Sequence, residues 1–419
     1  MKTKKITNRH MVWLLFFLCW FVYFSSYIGR KNFSAVMPQM ILEGILKTSQ
    51  AGTINTIFFL CYGIGQLING LLGDRMNPSR MILFGSLTSA FCNLAMGSCS
   101  SYGWMAIIWA VNGYALSMLW APFLRLFAEM LTEKDRIKYT VNLSTSISIG
   151  NITSYLLCSL MVYISGWRMA FYSSSSVLFL SAILWPVLYR RIAAHQAQYG
   201  IYEEDSEPAA AEVPASTAKK LPIKALIFSA AILLLMAASM MQGMLRDGVT
   251  SWVPSFMVEG FDANPSFASL VTTVLPILNL LGPYLGHFVN QKLFRSEINT
   301  SVFFFLLSAL ALFALLLFGK SSLFLTLLFF AIVTTCIEAV NLMIISLIPL
   351  RYSHVGRTAT MTGILNFLTY VGAAISTFGV GILVERWGWN FALTAWGLFA
   401  LVGLLLCLIC RKIQIHIPQ

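Results

Sequence analysis

Four cations stand inside stretches that are otherwise apolar: Arg30, Lys31, Arg125 and Arg246. A charge near the centre of a bilayer costs about 2.5–3.5 kcal/mol on insertion scales, so each of these residues calls for a compensating role. Arg30 lies in "SSYIGRKNFSAVMP" (25–38), directly after a long apolar run, and Arg246 lies in "MLRDGVTSWVPSFMVEG" (244–260). A shift of 216 residues superposes the two: Arg30 falls on Arg246, Pro38 on Pro254, Glu43-Gly44 on Glu259-Gly260, Gly70 on Gly286 and Asp74 on Asn290. Twin arginines at matching depth, with no acid obviously assigned to each, predict an anion site. Arginine suits that chemistry because its guanidinium is permanently charged and planar, with a fork of donors that matches tetrahedral or planar oxyanions.

The other charged residues divide between structure and coupling. Lys31 follows Arg30 by one residue, about 100° round a helix, so the two do not address one point; packing toward a neighbouring helix or snorkelling accounts for it. Asp247 stands in the same relation to Arg246 and is expected to turn away into a structural partnership. Arg125 and Glu129, at i and i+4, share a helix face and read as a structural or gating pair, with a coupling role as the alternative. Asp74 and Arg75 are expected to make interspan contacts that close an inner gate. Glu338, in "VTTCIEAVNLM", is an intramembrane carboxylate and functional by default. It binds a substrate ammonium, titrates to couple a proton, or balances Arg246, Lys31 or Arg30. The eight cysteines are scattered through apolar runs and read as small buried hydrophobes, and the five histidines form no metal-binding pair. No nucleophile–base set and no nucleotide loop is present; "GIG" (63–65) lies within an apolar helix, where glycines let helices approach. The sequence therefore predicts no enzyme, no cofactor and no metal, and work driven by gradients.

These residues must be positioned by membrane helices. The chain has 419 residues, of which 58% are hydrophobic and 11% charged, against about 25% charged in a soluble domain. Apolar runs of about 20 residues place twelve spans, with cores at 11–35, 50–72, 80–98, 102–130, 139–163, 168–188, 223–247, 264–289, 298–318, 322–349, 358–384 and 389–410. The expected fold is all-α: two pseudo-symmetric six-helix bundles, 1–192 and 223–419, joined by a cytoplasmic linker, 193–222, that contains "EEDSEPAAAEVPASTAKK". The N-terminus resembles a signal peptide but lacks a small-residue cleavage site, so it reads as an uncleaved first span. Twenty of the 28 Lys and Arg fall on one side of these spans and four on the other, which predicts cytoplasmic termini by the positive-inside rule. Late in each half, "GWRMAFY" (166–172) matches "GWNFAL" (388–393), now at a shift of 222. An internal parallel repeat of this kind places a substrate site near the midplane, between halves that rock against each other.

The chain resembles the major facilitator superfamily over essentially its whole length, with "GLLGDRMNPSR" (70–80) similar to the signature loop between spans 2 and 3. "YIGRKNFSAVMP" and the 244–260 segment resemble, more narrowly, the organophosphate:phosphate antiporter family, which includes glycerol-3-phosphate and hexose-6-phosphate transporters. That resemblance implies phosphate binding by Arg30 and Arg246. It also implies cavity positions for Tyr23, Tyr27, Tyr62, Trp120 in "LWAPFLR" and Tyr370 in "LTYVGAA". Three positions depart from the glycerol-phosphate pattern: Gln66 replaces a lysine, Ser146 a histidine and Gly243 a tyrosine. The phosphate clamp is kept while the groups around the organic moiety change.

The expected function is secondary transport by alternating access, exchanging a phosphorylated small organic molecule for inorganic phosphate. The carrier is expected as a monomer in a bacterial inner membrane, with the lipid bilayer and these anions as its partners and no nucleic acid. Two alternatives are a membrane sensor of an external organophosphate and a carrier of another organic anion, such as a carboxylate or phosphonate.

Overall fold

The computed structural model describes residues 4–73, 76–202, 229–318, 321–351 and 358–414. Among them are twelve helices long and apolar enough to cross a membrane. In chain order, spans 1 to 6 are Arg9–Leu42, Thr48–Asn69, Pro78–Ser98, Tyr102–Met130, Lys134–Ser165 and Trp167–Tyr199. Spans 7 to 12 are Ala230–Phe261, Pro265–Phe294, Glu297–Phe318, Leu323–Leu347, Met361–Trp387 and Trp389–Ile413. Helices are required because lipid offers no partner to backbone polar groups, and a helix satisfies them within the segment. Span 1, at 34 residues, is about 51 Å long, well beyond a hydrocarbon core of about 30 Å.

The chain divides into two compact units, Met1–Ile45 with Ile64–Ala209, and Leu46–Gly63 with Ala210–Gln419. In the first, span 1 packs on spans 5 and 6, and span 3 packs on span 6. In the second, span 7 packs on spans 11 and 12, and span 9 packs on span 12. The same pairing recurs six spans later, which is the sequence repeat expressed as packing.

One polar tie recurs with it. In the first unit the indole N–H of Trp167, at the start of span 6, donates to Glu43 Oε2 at 3.0 Å. In the second, Trp389 at the start of span 12 donates to Glu259 Oε2 at 2.8 Å. Each glutamate follows a helix proline by five residues, Glu43 as the C-cap of span 1 and Glu259 in the last turn of span 7; Pro38 or Pro254 lacks an N–H and frees the carbonyl four residues back. The glycine before each tryptophan, Gly166 or Gly388, adopts a positive φ of 89° or 79°, a turn that a side chain would strain.

Two departures from regular spans bear on function. Span 4 breaks between Leu116 and Trp120. There the amides of Met118 and Leu119 bond three residues back, and Ser117 Oγ donates to the Tyr114 carbonyl while accepting from Asn69 Nδ2. Trp120 opens the second segment. Span 6 continues as helix to Tyr199, beyond the residue-192 boundary read from composition. Ile201–Tyr202 then pairs antiparallel with Lys4–Lys5. Gln196 Nε2 donates to the carbonyls of Lys4 and Glu129, tying the N-terminal arm to the ends of spans 4 and 6.

Trp167→Phe and Trp389→Phe each remove an N–H from an exposed glutamate carboxylate. Each is expected to destabilise its unit by about 0.5–1.5 kcal/mol, read as a lower thermal midpoint of the detergent-solubilised protein. A midpoint unchanged in both variants would mean that the ties carry no stability.

Candidate functional site

In the first unit, Arg30 ends a line of aromatic contacts. The Trp120 and Tyr23 rings are 5.2 Å apart, those of Tyr23 and Tyr27 are 5.3 Å apart, and the Arg30 guanidinium lies 5.4 Å from the Tyr27 ring centre. Tyr27 is three residues before Arg30, so both lie on one helix face. Arg30 and Lys31 are 6% and 7% exposed. Lys31 is thus packed inside the protein and does not snorkel to the membrane surface.

The peptide just before Arg30 is gripped by side chains. Ser154 donates to the Ile28 carbonyl, and Asn93 and Asn112 both donate to the Gly29 carbonyl at 3.3 and 3.1 Å. The two asparagines are oriented in turn, since Asn32 donates to Asn93 Oδ1 and Ser89 donates to Asn112 Oδ1. A Cβ on Gly29 would lie 2.5 Å from Leu178 Cδ1 and 2.9 Å from Asn93 Nδ2, so only glycine allows this approach. These positioning residues are absent from the site expected from the sequence. Their signal is a lone asparagine in each of two apolar runs, "AFCNLAM" (90–96) and "AVNGYA" (110–115).

The second unit surrounds its arginine differently. Arg246 Nε and Nη2 both donate to Asp247 Oδ2, at 3.0 and 2.7 Å, and Nη1 donates to Asn341 Oδ1 at 3.1 Å. The expectation that Asp247 turns away, and that no acid pairs with Arg246, is therefore corrected. The 100° between adjacent residues separates their Cβ atoms, but the long arginine stem lets the guanidinium fold back onto its neighbour. Glu338, half-buried on span 10, is within electrostatic reach of Arg246.

The ring beside Arg246 comes from span 11. Its guanidinium is 5.7 Å from the Tyr370 ring centre, and Tyr62 meets Tyr370 edge-on at 4.8 Å. Tyr62 belongs to the stretch Leu46–Gly63 that packs in the second unit. The repeat aligns Tyr27 with Gly243, and the structure explains the glycine. A Cβ on Gly243 would overlap the Thr369 carbonyl oxygen, and one on Gly372 would overlap the Met240 carbonyl oxygen. Spans 7 and 11 touch backbone to backbone, and this brings Tyr370 to the arginine. Gly243 is a packing residue and not a vacancy beside a substrate.

Other expected residues are placed less tellingly. Ser146 is buried and donates its hydroxyl back to the Leu143 carbonyl at 2.6 Å. Gln66 is half-buried, one turn after Tyr62 on span 2. Arg125 Nε and Glu129 Oε1 form an ion pair of 2.6 Å, and Arg125 Nη1 donates to the Met76 carbonyl. That pair fastens span 4 to the turn before span 3. Asp74 and Arg75 lie outside the described residues.

The profile of the Major Facilitator Superfamily matches residues 19–377. This chain belongs to that superfamily. The superfamily fold is also that of a solved bacterial homolog to the human lysosomal transporter Spinster, inward-facing and unoccupied. It shares a TM-score of 0.81 at 14% identity, covering 97% of this chain and 98% of that one. Among relatives within the superfamily, a "Probable hexose phosphate transport protein" of Chlamydia trachomatis is 24% identical over 96% of this chain and 92% of its own length. The membrane sensor protein UhpC of Escherichia coli is 21% identical over 92% and 89%. The glycerol-3-phosphate transporter of Haemophilus influenzae is 22% identical over 72% and 67%. These relatives agree with the narrower likeness to the organophosphate:phosphate antiporters.

Gly243→Ala forces a methyl group against a backbone oxygen that has no room to yield. It is expected to cost about 1–3 kcal/mol, read as a lower thermal midpoint. Gly243→Tyr is expected to abolish a monodisperse elution profile; a stable, active Gly243→Tyr protein would mean that the 7–11 contact is dispensable.

Proposed function

We propose that this protein is a secondary active transporter that exchanges a phosphorylated small organic molecule for inorganic phosphate by alternating access. The observation that carries the reading is the repeat-related pair Arg30 and Arg246, each beside a tyrosine ring, with the peptide before Arg30 and the guanidinium of Arg246 held by hydrogen-bonding side chains. Two arginines offer a phosphate dianion charge-assisted bonds, two of which can be parallel on one guanidinium. The names of the relatives, hexose phosphate and glycerol-3-phosphate transport, support the same substrate class.

Exchange follows from differential binding. A ligand shifts a carrier between states only by as much as it binds them unequally. Phosphate that engages both arginines favours the occluded state, whereas empty arginines disfavour it, so the loaded carrier changes face and the empty one does not. Arg125 with Glu129 acts as the gating pair in this scheme. The charge asymmetry of the loops supports a cytoplasmic-membrane carrier with both termini in the cytoplasm, acting as a monomer.

A second reading is favoured by one observation: two of the relatives are membrane sensors named UhpC. A sensor binds the ester through the same arginines without moving it across the membrane.

The test is uptake of labelled phosphate into proteoliposomes preloaded with phosphate. Wild type is expected to exchange, and Arg30→Lys and Arg246→Lys to lose about tenfold or more, because lysine keeps the charge but not the planar fork. Binding of phosphate without exchange would select the sensor; neither binding nor exchange would remove the phosphate reading.

A further inference from the structure

Gln242 lies one helical turn before Arg246, on the same face of span 7. It is fully buried, and its Oε1 has no hydrogen-bond partner among the described residues. The orientation of its amide is dictated by the arginine. A guanidinium only donates, so the Asn341 atom that receives Arg246 Nη1 must be the carbonyl oxygen Oδ1. Gln242 approaches that same oxygen at 3.2 Å and must present its NH2 group to it. The glutamine oxygen is thereby left as the open end of a chain: Asp247 holds Arg246, Arg246 fixes Asn341, and Asn341 fixes Gln242. A buried acceptor without a protein donor calls for a partner, and among such oxygens this one stands beside the arginine.

The repeat shows that this open acceptor is not an inherited flaw of the fold. The position equivalent to Gln242 in the first half is Ser26. Its hydroxyl is satisfied within its own helix, donating to the Tyr23 carbonyl at 2.6 Å. The two halves also differ in the residue after the arginine, which is Lys31 in the first and Asp247 in the second. The first half sets two cations side by side. The second pairs its arginine with a carboxylate and sets one amide oxygen, Asn341 Oδ1, against it, with Gln242 Oε1 one turn away. Such a wall suits a ligand group that donates hydrogen bonds.

We propose that Gln242, held by Asn341, is the specificity-determining residue that reads the organic part of the transported ester by accepting a hydrogen bond from one of its hydroxyl groups. The inference rests on the phosphate-ester reading and deepens it to polyhydroxylated esters. Arg246 lies one turn away on the same face and engages the phosphate, so a hydroxyl a few bonds from phosphorus is brought toward Gln242 Oε1 while its amide nitrogen stays on Asn341. Arg246 is 15% exposed at its side chain, and Asn341 is not fully covered, so the ligand meets this cluster from the arginine side.

The experiment measures displacement of labelled phosphate from the full-length protein in detergent by methyl phosphate, by a hexose phosphate and by its mono-deoxy analogues. Wild type is expected to bind the hexose phosphate more tightly than methyl phosphate, with one deoxy analogue weaker than its parent by about tenfold. In Gln242→Met, which keeps the side-chain length without the acceptor, that one penalty disappears while the others remain. The readout is a ratio between ligands in a single sample, so it does not depend on how much protein remains active. If no deoxy analogue is weaker in wild type, the inference is overturned and phosphate binding stands; this arm needs no variant. If the penalty persists in Gln242→Met, the hydroxyl is read elsewhere and the inference is overturned. Failure of wild type to bind phosphate at all overturns the phosphate reading and the inference with it.

Discussion

A guanidinium inside a membrane protein must be solvated by protein, because lipid supplies neither charge nor hydrogen bonds. Most of what is distinctive in this chain follows from meeting that demand twice. Arg30 is met by a ring from its own helix, while Asn93, Asn112 and Ser154 fasten the peptide that carries it. Arg246 is met by a carboxylate next in sequence, an amide from span 10 and a ring from span 11. The burial that makes such shells necessary also makes them stiff, since each donor that is moved must find another acceptor at the same depth.

The repeat separates what the fold needs from what the site needs. The Glu–Trp ties and the order of span packing are the same in both units, and they lie where spans turn back. The arginine shells have diverged at the positions beside the charge: Ser26 against Gln242, Tyr27 against Gly243, Lys31 against Asp247. Loss of the tyrosine in the second half is linked to gain of another. Without a side chain at 243, span 11 comes close enough to lend Tyr370. A duplicated scaffold that keeps its joints and varies its lining can recognise an asymmetric ligand.

Much of this was legible in the sequence, and the reason is hydropathy. Spans, the two halves and the repeat-related arginines follow from where apolar runs begin and end and from the cost of charge within them. The helix-face argument worked for Arg125 with Glu129, where side chains rise along one stripe. It failed for Asp247, because periodicity locates Cβ atoms and the guanidinium sits several bonds further on. Gly243 could not be understood alone, since its meaning is the Thr369 backbone on another span. Asn93 and Asn112 were visible as polar residues in apolar runs, but their shared target is a backbone carbonyl, which no pattern of side chains announces.

Span 2 is one continuous helix whose residues divide their allegiance at Gly63. Before that point Thr56 Oγ1 donates to the Ala374 carbonyl, the Ser49 amide donates to Glu385 Oε2, and Gly52 lies against the Thr377 carbonyl, all within the second unit. The stretch Leu46–Gly63 therefore clusters with the second unit although it precedes the linker in sequence. A chain cut in the linker would yield a first fragment carrying a strip of someone else's wall and a second fragment with that strip missing. Reassembly from two such pieces would proceed by exchange of a helix end, in the manner of a swapped element.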